Sequence, residues 1–216
     1  MKVTLYHGSK EGLNGPISPF MSDGMCDFGT GFYMGTDPHQ PQTLICEEKS
    51  PTFYRLSLEL DGLKTYRFEV GIDWALFVAF NRGRLAKYSD TSLVRRYQEI
   101  RATHDLIFGK IADDRMFAVM GRFFEGLIGD VALVKAIAAL QIGDQYCAVT
   151  EAACRQITIE EEKRFSAVEL ENLRVKCGNQ RRRGAAEADR IVRQYRREGD
   201  SFEEILAREI QKEGAL

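Results

Sequence analysis

Nowhere in these 216 residues is there an apolar run of about 18, the length that a membrane-spanning helix requires. The opening M-K-V-T-L-Y-H is too short an apolar stretch for a signal peptide. The expectation is a cytoplasmic protein with no membrane partner, and export by a leaderless route would leave no such mark. Charge of one sign is lacking as well: 30 basic against 32 acidic residues leave a formal charge of -2, which excludes a global electrostatic pull toward nucleic acid or lipid. The five cysteines, Cys26, Cys46, Cys147, Cys154 and Cys177, lie far apart, with no C-x-x-C pair and no histidine at metal-ligand spacing. That pattern predicts reduced thiols and no metal site. Internal repeats, low-complexity tracts, G-x-S-x-G, a Walker loop and H-E-x-x-H are all missing, and the G-T-G at 29–31 lacks the third glycine of a dinucleotide fingerprint.

What is present is the composition of an ordinary soluble globule, 44% hydrophobic and 29% charged, long enough for one good core. Strands are predicted over Lys2 to Tyr6, over Thr52 to Leu60 with alternating Tyr54, Leu56 and Leu58, over His104 to Ile111, and over Gln145 to Thr150. A glycine-rich turn from Asp27 leads into a further element ending near Gly35. Helices are expected after Asp73 with Gly83 as a stop, and over Ser92 to Ala102. Asp113 would cap a helix burying Phe117, Met120, Phe124 and Leu127, and Asp130 one burying Val131, Val134, Ile137 and Ala138. Ser166 with Glu169 forms a capping box for a helix that Gly178 can terminate. Strands and helices are interspersed without regular βαβ spacing, which predicts an α+β fold.

The last segment differs in character. Arg181, Arg182, Arg183, Arg190, Arg193, Arg196 and Arg197 outweigh Glu187 and Asp189, while Ala188, Ile191 and Tyr195 keep a weak apolar stripe. Ser201 and Glu204 make another capping box, before Phe202, Ile205, Leu206 and Ile210. The division expected is therefore a domain over 1–178 and a charged helical extension over 179–216. The arginines read either as a solvated face or as a contact with nucleic acid or an acidic protein.

Three short motifs carry the chemical information: H-G-S at 7–9, D-F-G-T-G-F-Y at 27–33 and Q-Y-C-A-V-T at 145–150. Each alone has an ordinary structural reading, as a strand running into a turn, a hairpin with aromatic packing, or a short strand. In this order the chain resembles the diphtheria-toxin and poly(ADP-ribose) polymerase branch of the ADP-ribosyltransferases. More narrowly, it resembles a bacterial domain family of unknown function that shares L-Y-H-G-S, D-F-G-x-G-F-Y and I-A-D-D-R-M. The resemblance implies a split β-sheet core with inserted helices, and NAD as substrate. It covers residues 5 to 150 and leaves the tail outside.

Cutting the bond between ribose and nicotinamide requires a site that holds the nicotinamide rigidly and stabilises an oxocarbenium-like ribose. By the resemblance, the Gly8 backbone bonds the carboxamide, where a Cβ would block the approach, and Ser9 touches the same group. His7 bonds a hydroxyl of the adenosine ribose, and Tyr33 lies against the cationic nicotinamide face. Gly29 and Gly31 let the intervening turn bend. Gln145 stands where the polymerase type has glutamate: its amide can accept from the ribose 2′-hydroxyl, but it is uncharged and cannot act as a general base. Glu151, six residues on, is roughly 20 Å away in an extended strand. Asp113 and Asp114 are candidates for the missing negative charge, and Arg115 for a grip on the pyrophosphate. An end-capping acid and a paired arginine would explain the same three residues structurally.

The leading expectation is a mono-ADP-ribosyltransferase acting on a macromolecular acceptor, protein or nucleic acid, with Gln145, Tyr33 and His7 as its catalytic residues. The resemblance adds a toxin or effector role with an antitoxin protein as partner. The alternatives are an NAD glycohydrolase and a catalytically silent NAD-binding or protein-interaction module.

Overall fold

The computed structural model describes residues 1–22, 25–111, 114–139 and 143–211. Among the described residues seven strands make one open mixed sheet: β1 (Lys2–Ser9), β2 (Phe32–Gly35), β3 (Thr52–Glu59), β4 (Thr65–Arg67), β5 (Leu106–Lys110), β6 (Asp144–Ala148) and β7 (Ile157–Arg164). Their order across the sheet is β4-β5-β6-β2-β1-β3-β7, and only β4 and β5 run parallel. The fold is α+β, as the irregular spacing of elements predicts.

Alternation sorts the side chains between two cores. On one face Leu5, Phe32, Met34, Tyr54, Leu56, Leu58, Leu106 and Ala148 cluster. The neighbours of the last two in sequence, Ile107 and Cys147, join the larger cluster on the other face, with Phe28, Trp74 and Phe77. That second face carries α2 (Ile72–Asn81), α3 (Ser92–Thr103), α4 (Asp114–Phe124) and α5 (Asp130–Ala139). The strand β7 has no counterpart in the sequence reading, because I-T-I-E-E-E-K-R alternates only at its start. It is an edge strand whose exposed charges guard its open side.

Two helical faces differ from the expected ones. In α5 the buried residues are Ala132, Leu133, Ala136 and Ile137, so of the expected set only Ile137 is buried. In α4 the described buried residues are Met116, Val119, Met120 and Phe123; of the expected set Met120 is therefore buried, Phe124 is half-buried, Leu127 is exposed beyond the helix end, and the Phe117 side chain lies outside the described residues. The helix α4 has one broad apolar face, of which the expected set marked one edge; in α5 apolar residues lie on more than one side, so periodicity leaves its rotation open. Packing against the long helix α7 (Ala167–Tyr195) decides it. Asp113, the expected cap of α4, lies outside the described residues. Asp130 opens α5, and its carboxylate accepts from the Asp200 amide at 2.9 Å.

The capping box of Ser166 and Glu169 starts α7 as predicted. Gly178 does not stop it. The helix runs unbroken through that position, and so through the expected 178/179 boundary, because Leu170, Leu173 and Cys177 before it and Ala188, Ile191 and Val192 after it all find a surface to bury against. After α7, α8 (Phe202–Gln211) buries Phe202, Ile205 and Leu206 in the core that holds Trp74. No described helix is long and apolar enough to cross a membrane.

Candidate functional site

The strand β1 does not end at His7 and Gly8. It continues to Ser9, paired with β3 throughout, while β2 pairs throughout with β6. Between β1 and β2 themselves the ladder has a single pair, Tyr6 with Gly35. Beyond it the two central strands part, each held by its outer neighbour. The His7 ring enters this gap, where its Nδ1 meets the Tyr33 carbonyl oxygen at 2.7 Å and its centre lies 4.5 Å from that of the Phe32 ring.

A cavity of about 560 Å³ opens at this parting, and residues of both sheet faces reach it. His7, Gly8, Gly31, Tyr33 and Gln145, chosen from three separated motifs, all lie in its wall. Ser9 and Gly29 do not. The Ser9 hydroxyl donates to the Gly12 carbonyl at 2.8 Å, within its own loop. Asp113 lies outside the described residues, as do the side chains of Asp114 and Arg115, of which only the place in α4 is described. Glu151 opens the short helix α6 (Glu151–Arg155) away from the cavity and accepts from Ser18.

Each side chain has a determinate state. A carbonyl oxygen can only accept, so the His7 Nδ1 carries the proton and donates to Tyr33. The lone pair of Nε2, unpartnered among the described residues, is then open to a ligand. Burial pushes the imidazole pKa down to about 4, so the ring is neutral at pH 7. The Tyr33 phenol donates to the Gly29 carbonyl at 2.6 Å and accepts from the Phe28 amide at 3.0 Å, which closes the turn on itself. Burial raises its pKa well above the ordinary value and lifts that of Cys147, across the strand pair from it, to about 12. Neither ionises near neutrality.

The scaffold itself needs the motif glycines Gly8, Gly29 and Gly31, the last because a Cβ there would stand 2.2 Å from Cys147 Sγ. A Cβ on Gly8 would stand 2.6 Å from the Pro41 carbonyl oxygen and 2.9 Å from Ile45 Cγ2, both on α1 (His39–Ile45). The helix lying against β1 therefore excludes a side chain at Gly8 by itself, whether or not a ligand also uses the space. Gly29 has φ +76°, and a Cβ there would collide with the Arg101 guanidinium. That guanidinium grips the turn, donating to the Phe28 carbonyl at 2.7 Å and the Thr30 carbonyl at 3.3 Å.

The residues that sequence reasoning missed are Asp27 and Arg82. Gln145 is buried, and its Nε2 donates to Asp27 Oδ2 at 2.8 Å and to the Lys110 carbonyl at 3.2 Å. Both partners are acceptors only, so the amide can sit one way round, with Oε1 unpartnered among the described residues and open to a ligand. Arg82, at the end of α2, donates from Nε to Asp27 Oδ1 at 3.1 Å and bonds the same oxygen through Nη2. Asn81 beside it donates to the Asp27 backbone carbonyl at 3.1 Å. Asp27 stood in the D-F-G-T-G-F-Y motif, an acid at the head of a glycine turn, and that was the available signal. Arg82 had none.

Residues 3–159 match the family described as "Protein of unknown function (DUF3990)". The chain belongs to the DUF3990 family. The DUF3990 match spans the whole cavity wall, from Tyr6 to Gln145, and stops short of α7 and α8. Comparison with curated proteins found no match, and comparison with solved structures found none.

Proposed function

We propose that this DUF3990 protein is an NAD-dependent mono-ADP-ribosyltransferase that modifies a macromolecular acceptor. The observation that carries the reading is the pair of neutral acceptors in one cavity, His7 Nε2 and Gln145 Oε1, each left to a ligand because its own hydrogens are taken by the protein. Such a wall suits a ligand rich in hydroxyl donors, and the two riboses of a dinucleotide are that. Gln145 Oε1 would accept from the 2′-hydroxyl of the nicotinamide ribose, and His7 Nε2 from a hydroxyl of the adenosine ribose. The Tyr33 ring would face the nicotinamide while its hydroxyl keeps the turn closed. As the bond to nicotinamide lengthens, positive charge grows on the ribose, and a fixed amide oxygen stabilises it without having to reorient. The exposed Phe20, Met21, Met25 and Leu44 form an apolar rim, of which the last three line the cavity mouth, and such a rim supports a macromolecular acceptor.

The test is incubation of the full chain with NAD labelled in its adenylate phosphate, together with a cell lysate. Label on protein or nucleic acid is the expected result. Free labelled ADP-ribose in its place would make the chain a glycohydrolase, and no consumption of NAD would overturn transfer altogether. Tyr33→Ala and Gln145→Ala are each expected to lower the rate at least about 100-fold, as loss of a fixed transition-state contact does elsewhere. An unchanged rate in both would remove this cavity from the chemistry.

A further inference from the structure

The chain puts glutamine where a glutamate would give a negative charge, yet a carboxylate lies within hydrogen-bond distance of that glutamine. Asp27 and Gln145 are 118 residues apart in sequence; Gln145 pairs with Gly35 at the far end of β2, and the two meet because the segment before β2 folds back along the strand to reach the glutamine. Asp27 is 5% exposed and Gln145 7%, so neither group is loosely solvated. A buried amide with one hydrogen on a carboxylate and the other on a carbonyl has a single orientation, whereas a solvent-facing glutamine would sample both.

We propose that Asp27 is the positioning residue of this site: its Oδ2 fixes the Gln145 amide so that Oε1 faces the ligand, and Arg82 fixes Asp27 in turn through Oδ1. For its part in catalysis the proposal rests on the transferase reading. The arrangement also accounts for glutamine at 145. With glutamate there, two carboxylates would stand about as close as a hydrogen bond and could not both ionise unless they moved apart. The carboxylate of the site stands one residue back, behind the group that meets the ligand, with Arg82 balancing its charge.

This makes a sign prediction. Asp27→Asn keeps the shape, but its single oxygen is claimed by the Arg82 cation, so its NH2 faces the NH2 of Gln145. The amide of Gln145 must turn, which presents a donor to the ligand. Gln145→Glu sets carboxylate against carboxylate. In the double variant, Asp27→Asn with Gln145→Glu, the new amide at position 27 donates to the new carboxylate at position 145. The other oxygen of that carboxylate faces the ligand, and a negative charge near Arg82 is restored. Recovery stops short of the parent, because the Lys110 carbonyl has lost its donor.

Four chains, the parent, both single variants and the double, are assayed for kcat on NAD, for NAD affinity by calorimetry, and for melting temperature. Each single variant is expected to lose at least about tenfold in kcat while NAD affinity changes less than about threefold. The double is expected to regain at least about tenfold over Asp27→Asn. A double no better than the worse single variant overturns the proposal. So does an affinity loss as large as the loss in kcat, since a residue holding only the cavity's shape would act on both. If the parent neither binds nor consumes NAD, the transferase reading falls by itself, and the orientation is judged on melting. There, two single losses that merely add in the double would overturn it, and a double more stable than that sum would uphold it.

Discussion

His7 is a histidine whose two nitrogens do different work, and its proton is held where the ring meets the Tyr33 carbonyl. Its folded pKa of about 4 lies below the value near 6.5 that the unfolded chain would have. Between those two pH values the unfolded state binds a proton that the folded state refuses, so stability must rise with pH from about 4 to about 6.5 and flatten above. Urea titrations of the parent and of His7→Gln across that range should differ in slope, with the variant the flatter; equal slopes would refute a buried neutral ring. Ligand affinity at His7 should show no step between pH 6 and 8, since Nε2 stays an acceptor throughout. At this scale the identities of His7, Tyr33 and Gln145 were legible from short motifs, because their spacing along the chain survives any rearrangement of the fold. Their states were not. Which nitrogen of His7 carries the proton, and which way Gln145 faces, depend on atoms of Tyr33, Asp27 and Lys110 that only folding delivers.

Among the elements, α1 is the one that shapes the cavity without contributing chemistry. Gln40, Pro41 and Leu44 of that helix line the wall, and Gly8 of β1 lets it lie close. Gly8→Ala should push α1 outward, with a loss of about 1–3 kcal/mol in denaturant unfolding, as overpacking of a close contact costs elsewhere. Ligand affinity should fall with it, and a variant as stable as the parent would return Gly8 to a role in the ligand site alone. The helix was not foreseen, since H-Q-P-Q-T-L-I carries a proline and little periodicity, with only Pro41 and Ile45 buried. By contrast the Ser166 and Glu169 box was readable at sight, because a cap is built from neighbours in sequence. The helix α5 lies between these cases. Its existence was local, and its facing was set by α7.

At the scale of the whole molecule, the C-terminal residues are part of the main core. Ala188, Ile191 and Val192 of α7 and Phe202, Ile205 and Leu206 of α8 belong to the same buried cluster as Trp74, Phe77 and Leu133. Nearer the start of α7, Cys177 packs with Cys46 at the end of α1, and Arg181 donates to the Thr43 carbonyl of that helix at 2.6 Å. A chain ending at Gly178 would uncover these surfaces, each large apolar side chain forfeiting about 1.5–3 kcal/mol of burial. It should therefore lose its cooperative melt, and an unaltered melting temperature would return α8 and the end of α7 to the status of an appendage. The arginines that gave this segment its character are mostly on the exposed side, Arg182, Arg183, Arg190, Arg193, Arg196 and Arg197 among them. Charge pattern thus suggested a separate unit, while the thinner apolar stripe on the opposite face held it to the core.

By itself the sequence determined the class of fold, most of the strands, the caps of α7 and α8, and the five residues that its three motifs place in the cavity wall. All of these follow from patterns a few residues long, in which neighbours along the chain are neighbours in space. Tertiary structure alone decided that β1 and β2 part after one pair, that Gln145 faces Asp27, that Arg82 stands behind both, and that α7 passes through Gly178. Each of those joins residues distant along the chain, 55 positions for Asp27 and Arg82 and 118 for Asp27 and Gln145, or depends on a surface supplied from elsewhere. Strand order and side-chain hydrogen bonding across it are set by the global burial of two cores, and no local pattern of apolar residues specifies which distant polar group will be waiting there.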